Sequence, residues 1–209
     1  MPFWLAVFLA FILGGLLGSI PFGLLLTRAA GLGDIRAIGS GNIGATNVLR
    51  TGNKALAAAT LLLDGLKGAA AVWIAAAWLG PQGGAVAGLA AIGAVLGHCH
   101  PPWLGGRGGK GVATALGAFL ALGWPIFLTA AAVWLLVAKL TRISSAGGMA
   151  GMLAAILPAA WIGGAPLATP VAAIALYVVS RHRANIERLL AGTEPRIGQG
   201  KNPGKERRP

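Results

Sequence analysis

Three polar segments hold most of the residues in this chain that could do chemistry. The first, GSGNIGATNVLR (Gly39–Arg50), sets Ser40, Asn42, Thr46 and Asn47 among Gly39, Gly41 and Gly44 and closes on Arg50. Glycines permit backbone conformations that aim successive N–H groups at one anion, and a guanidinium fork matches phosphate or carboxylate. A loop that only capped the next helix would need fewer hydrogen-bonding side chains. The second, HPPWLGGRGGKG (His100–Gly111), stiffens its start with Pro101-Pro102. It then packs Gly105, Gly106, Gly108, Gly109 and Gly111 around Arg107 and Lys110 before an apolar run. A glycine-rich turn feeding a helix N-terminus, with a lysine beside it, is suited to phosphate. It departs from the nucleotide P-loop, which has Gly where Leu104 stands and Ser or Thr where Gly111 stands.

The third segment, RHRANIERLLAGTEPRIG (Arg181–Gly198), places His182, Asn185 and Arg188–Leu189 on one helical face. Glu194 is expected to fix a neighbouring loop through an arginine rather than to take protons. Ser144 and Ser145 stand at a helix start, as N-caps first and substrate contacts second. Asp64 and Lys67, at i and i+3 inside an apolar run, are either functional or a mutually neutralising pair. His98-Cys99-His100 looks like a metal tract, yet no clustered partners accompany it, and a single Cys99 makes no intrachain disulfide. The inventory is thus cations, amides, hydroxyls and glycine N–H groups, with no Ser–His–Asp set, carboxylate pair or metal set. Such a site binds phosphates and stabilises developing negative charge, and it suits an electrophile that arrives already activated.

Apolar helices must position these segments. The chain of 209 residues is 56% hydrophobic and only 11% charged, against about a quarter charged in a soluble domain. Abundant Gly and Ala suit close helix approach in lipid. Seven apolar segments can be marked: Phe3–Leu26, Ala55–Leu79, Ala85–Gly97, Val112–Leu122, Ile126–Ala138, Ala146–Ile162 and Leu167–Val179. Their connections alternate: Thr27–Lys54, His98–Gly111, Lys139–Ser145 and the tail from Ser180 hold every charge except Asp64 and Lys67, whereas Gly80–Gly84, Gly123–Pro125 and Gly163–Pro166 hold none. No basic residue precedes the first run, which is too long for a signal-peptide core, and Arg28 follows it. The expectation is an all-α polytopic integral membrane protein of about seven transmembrane helices, N-terminus outside and C-terminus cytoplasmic. Residues 1–196 form the membrane domain, and 197–209 a basic, disordered cytoplasmic tail. Ala85–Gly97 and Val112–Leu122 are short for a bilayer crossing; they extend into their flanks, or one pair is a re-entrant hairpin, leaving five full spans. The net charge of +12 draws the chain to anionic headgroups, and no nucleic-acid recognition module is present.

The three segments, in order and spacing, resemble the motifs of the bacterial acyl-phosphate:glycerol-3-phosphate acyltransferases, the PlsY family. SGNIGATNVLR resembles the first motif, GGRGGKGVAT the glycine-rich second and RHRANIERLLAGTE the third. GSIPFG (Gly18–Gly23) and DGLKG (Asp64–Gly68) extend the likeness over essentially the whole chain. The resemblance implies transfer of a fatty acyl group from acyl phosphate to the 1-hydroxyl of glycerol 3-phosphate. The products are 1-acylglycerol 3-phosphate (lysophosphatidic acid) and phosphate, in the first step of phospholipid synthesis at the bacterial inner membrane. It implies Ser40, Arg50, Lys110, His182 and Asn185 as catalytic, Glu194 as support, and no acyl-CoA donor, metal or cofactor. Substrate contacts are expected from Asn42, Gly44, Thr46, Asn47, Gly105, Gly106, Arg107, Gly108, Gly109, Ser145 and Lys67, with Asp64 as structural partner. The alternative is a transporter or channel for a phosphate-type anion. That class calls for an internal repeat, mid-membrane polar residues and a path to the outside, and only the Asp64–Lys67 pair lies mid-membrane. A scaffold protein would not need the glycine-rich cationic loops.

Overall fold

The computed structural model describes residues 1–79 and 83–198, and all regular structure among them is helical. Ten α-helices follow in order: α1 (Phe3–Gly18), α2 (Phe22–Ala29), α3 (Ala45–Val48), α4 (Lys54–Leu79), α5 (Gly83–Cys99), α6 (Val112–Leu122), α7 (Trp124–Thr141), α8 (Ser144–Ala154), α9 (Ile156–Ser180) and α10 (Arg183–Leu190). Five stretches are long and apolar enough to cross a membrane: Phe3–Ala29, Lys54–Leu79, Gly84–Leu104, Trp124–Thr141 and Ser144–Ser180. Helix is the outcome such a sequence demands, because lipid offers backbone N–H and C=O groups no partner and a helix satisfies them internally.

Breaks in the helices have identifiable causes and are re-satisfied locally. Pro21 cannot donate to the ladder, so α1 stops at Gly18 and α2 restarts beyond it. The two carbonyls freed there are taken by side chains: Trp103 Nε1 donates to Ser19 O at 2.8 Å, and Lys67 Nζ to Ile20 O at 2.6 Å. Gly164, at φ 58° and ψ −154°, bends α9 through a conformation open essentially to glycine alone. The short segment Ala85–Gly97 lengthens, as α5, to Gly83–Cys99. Val112–Leu122 does not lengthen; Gly111 (φ 92°) and Gly123 bound it, and its 11 residues reach about 16 Å.

Backbone contact holds the bundle together. A methyl group on Gly14 or Gly18 would overlap the carbonyls of Ala90 or Ala94, and one on Gly93 or Gly97 those of Phe11 or Gly15, so α1 and α5 touch main chain to main chain. The central core gathers Val72, Phe119, Ile126, Met152 and Ile174 from α4 and α6–α9. A separate cluster, Leu24, Ile35, Ile43, Val48 and Ala57, lies beneath the first polar segment and seats it on α2 and α4. Outward-facing Leu62, Leu135, Leu157 and Leu176 are exposed, as expected where lipid is the solvent.

The two ends of the bundle differ. Gly84 faces Pro166 and Gly123 faces Ile162, which collects the uncharged turns at one end. Exposed Trp4, Trp78, Trp124 and Trp161 ring that end, where amphipathic rings favour a membrane interface. The three polar segments meet at the opposite end.

Candidate active site

The first segment is built around one amide. Asn47 is buried, and its Nδ2 donates to the carbonyls of Ile35 (3.0 Å), Ile38 (2.9 Å) and Asn42 (2.8 Å), while its Oδ1 accepts from Ser40 N (3.0 Å) and Oγ (3.3 Å). The side chain expected to contact substrate is therefore the internal staple of the loop. Asn42 Oδ1 accepts from Gly44 N at 2.9 Å, closing the turn into α3, and Thr46 lies on the exposed side of α3. Gly39 and Gly41 hold the left-handed conformations (φ 59° and 69°) their sequence suggests. A side chain on Gly39 would meet Arg50 Cδ and Nη1 at 2.8 Å, so the guanidinium lies across the loop backbone next to exposed Ser40. Upstream, Arg36 and Arg28 both donate to Asp34; the Arg36 hydrogen bonds hold that carboxyl far below the usual range.

The glycine-rich segment folds back on the end of α5. Gly105 (φ 60°) and Gly106 (φ 74°) reverse the chain. Gly108 N then donates to Cys99 O at 3.1 Å and Gly109 N to His98 O at 3.0 Å. The amides of Gly105, Gly106 and Arg107 donate to Pro102, Pro101 and Leu104 carbonyls. These five N–H groups, expected to cradle an anion, are thus consumed by the loop itself. What the loop offers at its mouth is the ammonium of Lys110 and the unpaired amides that begin α6. His100 steadies the turn, with Nδ1 donating to Gly106 O (3.2 Å) and Nε2 accepting from Tyr177 OH (2.6 Å).

Lys110 joins the second segment to the third. Its Nζ donates to Asn185 Oδ1 at 2.5 Å, and Asn185 Nδ2 donates to Glu194 Oε1 at 2.6 Å. Glu194 also accepts from Ser145 Oγ (2.6 Å) and Arg188 Nε (2.7 Å), so α8, α10 and the returning tail converge on one carboxylate. Burial alone would raise the Glu194 pKa, but the three donors outweigh it and hold the group ionised, an acceptor and not an acid. The arginine that meets it is Arg188. Burial pulls Lys110 down to about 8; Glu194 opposes that shift, and the Arg188, Arg50 and Arg181 charges add to it.

His182 caps α10 and is buried. Its Nδ1 lies 2.7 Å from Val178 O, which can only accept, so the proton sits on Nδ1 and Nε2 keeps a lone pair. Burial pushes its pKa to about 4, leaving a neutral ring that accepts hydrogen bonds but is a weak base.

Beside this cluster lies a cleft of about 800 Å³ lined by Asp34, Arg36, Gly41, Gly106, Arg107, Gly108 and Arg181. Arg36 and Arg181 are absent from the residues singled out in the sequence. Their signal was position alone, one just ahead of the first glycine run and the other first in RHR. Lys67 joins neither group. It sits inside the bundle, 2% exposed, 2.7 Å from Asp64 Oδ1. Asp64 is its partner, as the spacing suggested.

Residues 8–192 match the family model described as glycerol-3-phosphate acyltransferase. A protein of that name from Erythrobacter litoralis is 58% identical over 191 residues, spanning 91% of this chain and 94% of its own. Another, from Gluconobacter oxydans, is 57% identical over 185 residues, 87% of this chain and 88% of its own. Among solved structures, the glycerol 3-phosphate form of PlsY, an integral membrane glycerol 3-phosphate acyltransferase, superposes with a TM-score of 0.83. It shares 35% identity over 93% of this chain and 95% of that one. The lysophosphatidic acid form gives 0.83 and 34%, over 92% and 95%.

Proposed function

The chain belongs to the glycerol-3-phosphate acyltransferase family and is a membrane glycerol-3-phosphate acyltransferase, and we propose that its acyl donor is an acyl phosphate. The observation that carries this reading is the character of the converging groups. Lys110, Arg50, Asn185 and Ser40 can bind and stabilise anions, the neutral His182 can only accept a hydrogen bond, and the nearest carboxylate, Glu194, is spent on three donors. A site without a strong base suits a mixed anhydride, whose phosphate is already a good leaving group.

In this mechanism the 1-hydroxyl oxygen of glycerol 3-phosphate attacks the acyl carbon, and a phosphate oxygen of a substrate takes the hydroxyl proton. The bond between the acyl carbon and the phosphate oxygen breaks, releasing inorganic phosphate and lysophosphatidic acid. Lys110 and Arg50 neutralise the phosphates, and His182 Nε2 orients glycerol 3-phosphate by accepting from its 2-hydroxyl, which leaves the 1-hydroxyl proton to the phosphate oxygen. Ser40 donates to the oxygen on which charge develops, and the arginine-lined cleft widens the anion-binding area for a second phosphate. Asn42, Gly44 and Thr46 shape the same mouth, and Ser145 acts through Glu194. No metal, cofactor or acyl-CoA enters the scheme.

The chain crosses the membrane seven times in this reading. The bent stretch Ser144–Ser180 supplies two passes and short α6 one. The N-terminus lies outside, and the charged end, the C-terminus and the site face the cytoplasm of a bacterial inner membrane, a reading supported by the distribution of Lys and Arg. Ile197 N donates to Arg142 O at 2.7 Å, and the rest of the expected basic tail, 199–209, lies outside the described residues. The test is phosphate release by purified protein given palmitoyl phosphate and glycerol 3-phosphate, with EDTA present, beside a palmitoyl-CoA control. Release that needs both substrates, survives EDTA and is lost with the CoA donor is the expected result. Transfer from palmitoyl-CoA alone would overturn the donor assignment.

A further inference from the structure

We propose that Asp64, Lys67 and His98 form a buried positioning device that holds the glycine-rich loop, and with it Lys110, at the height the transfer needs. The inference deepens the acyltransferase reading and rests on it for its activity measurements only.

The ammonium of Lys67 ion-pairs with Asp64, whose Oδ1 takes no hydrogen bond, and donates to two acceptors on other parts of the fold. Asp64 Oδ1 on its own helix lies at 2.7 Å, Ile20 O in the break between α1 and α2 at 2.6 Å, and His98 Nδ1 at the end of α5 at 2.9 Å. Pairing Asp64 alone would neutralise the charge, and the two further contacts go beyond that. Because the ammonium donates to Nδ1, that nitrogen presents its lone pair and the orientation of the ring is set by Lys67. The opposite edge of the ring is the floor of the loop: a methyl group on Gly109 would overlap His98 Nε2, and one on Gly108 would overlap His98 O. The loop is further registered on the same residue through Gly109 N and His98 O at 3.0 Å. Lys110 follows directly, with its own ammonium 2.5 Å from Asn185.

The device reaches the first segment as well. Lys67 fixes the carbonyl at which α2 begins, and Gly23 of α2 is pressed against the carbonyl of Ile43, leaving no room for a side chain. One buried cation thus sets the seat of two of the three converging segments. A displacement of the order of an ångström at a reacting group costs about 100-fold in rate, so a device of this kind bears on turnover without touching substrate.

The direct test is the double variant Asp64→Leu/Lys67→Met, which removes both charges together and leaves no lone buried ion. Three readouts are compared with the parent protein: amide hydrogen exchange over residues 106–111, the alkaline limb of kcat/KM, and Tm. We expect exchange in the loop to quicken about tenfold or more and kcat/KM to fall about 100-fold. The limb should move up from about 8 as Lys110 gains water. His98→Gln, which removes the ring beneath Gly109 but keeps an acceptor for Lys67, should quicken loop exchange in the same way and serves if the double variant does not fold. Loop exchange like the parent's in either variant overturns the proposal, as does a fall in Tm with the alkaline limb unmoved. The exchange measurement needs no acyl donor, so it stands even if the donor is not acyl phosphate.

Discussion

At the scale of single residues, the account turns on Lys110 and Glu194. Burial holds Lys110 at about 8, so the charge proposed to neutralise a substrate phosphate is complete below that pH and is lost as pH rises through it. The kcat/KM profile of the parent protein should therefore fall on the alkaline side near 8. Lys110→Ala should raise the apparent KM for the phosphate-bearing substrates and lower kcat/KM by about 100-fold or more, the scale of losing one charge-stabilising group. Unchanged affinity for both substrates would remove Lys110 from the site. Glu194 works in the opposite pH direction. Its carboxylate is held below its ordinary 4.5, so the stability it contributes is complete above that value and is lost as pH falls through the folded one. Glu194→Ala leaves Arg188, Asn185 and Ser145 without their shared acceptor; a loss of about 1.5–3 kcal/mol is expected for hydrogen bonds to a charged group, read as a lower Tm that no longer changes over the mildly acid range.

Elements decide which glycines matter. Gly109 and Gly105 stand in one loop and look alike in the sequence, but a methyl group on Gly109 strikes the His98 ring, whereas one on Gly105 meets nothing within 4 Å. Gly105→Ala carries only the strain of its left-handed backbone (φ 60°), about 1–2 kcal/mol, and should remain active. Gly109→Ala must lift the loop and should lose most activity while the helices stay folded by circular dichroism. This contrast also marks how far sequence reading reaches. That the glycine loop, the Ser40–Arg50 segment and the His182–Asn185 face belong together was legible, because charge is confined to alternate connections and a helix fixes the i, i+3 relation. The part played by Asn47 was not, since an amide that binds substrate and one that staples a loop are the same residue type. Nor was the fate of the loop amides, which depends on α5 ending beside them. His98 and His100 illustrate the same limit: neighbours in a metal-like tract, they face apart, one to Lys67 and the other to Tyr177.

At the scale of the whole molecule, lipid as solvent explains most of the architecture. Glycine-to-backbone contacts between α1 and α5, tryptophans at the uncharged end and apolar side chains facing outward follow from composition. The seven apolar segments all appear as helix, yet the turn expected at Gly163–Pro166 narrows to one non-helical residue, Gly164, and α6 stays short, features set by local backbone conformation and not by hydropathy. Polar chemistry is confined to one end, where an acyl chain in the bilayer and a water-soluble phosphate can meet. The central claim is thus a single cytoplasmic site fed from lipid on one side and water on the other. Sealed membrane vesicles of known orientation, loaded with palmitoyl phosphate in the lipid and given glycerol 3-phosphate outside, test it most directly. Vesicles with the cytoplasmic face outward should release phosphate and form lysophosphatidic acid at once, and those of the opposite orientation only after permeabilisation. Equal or greater activity in the sealed, oppositely oriented vesicles would contradict the account.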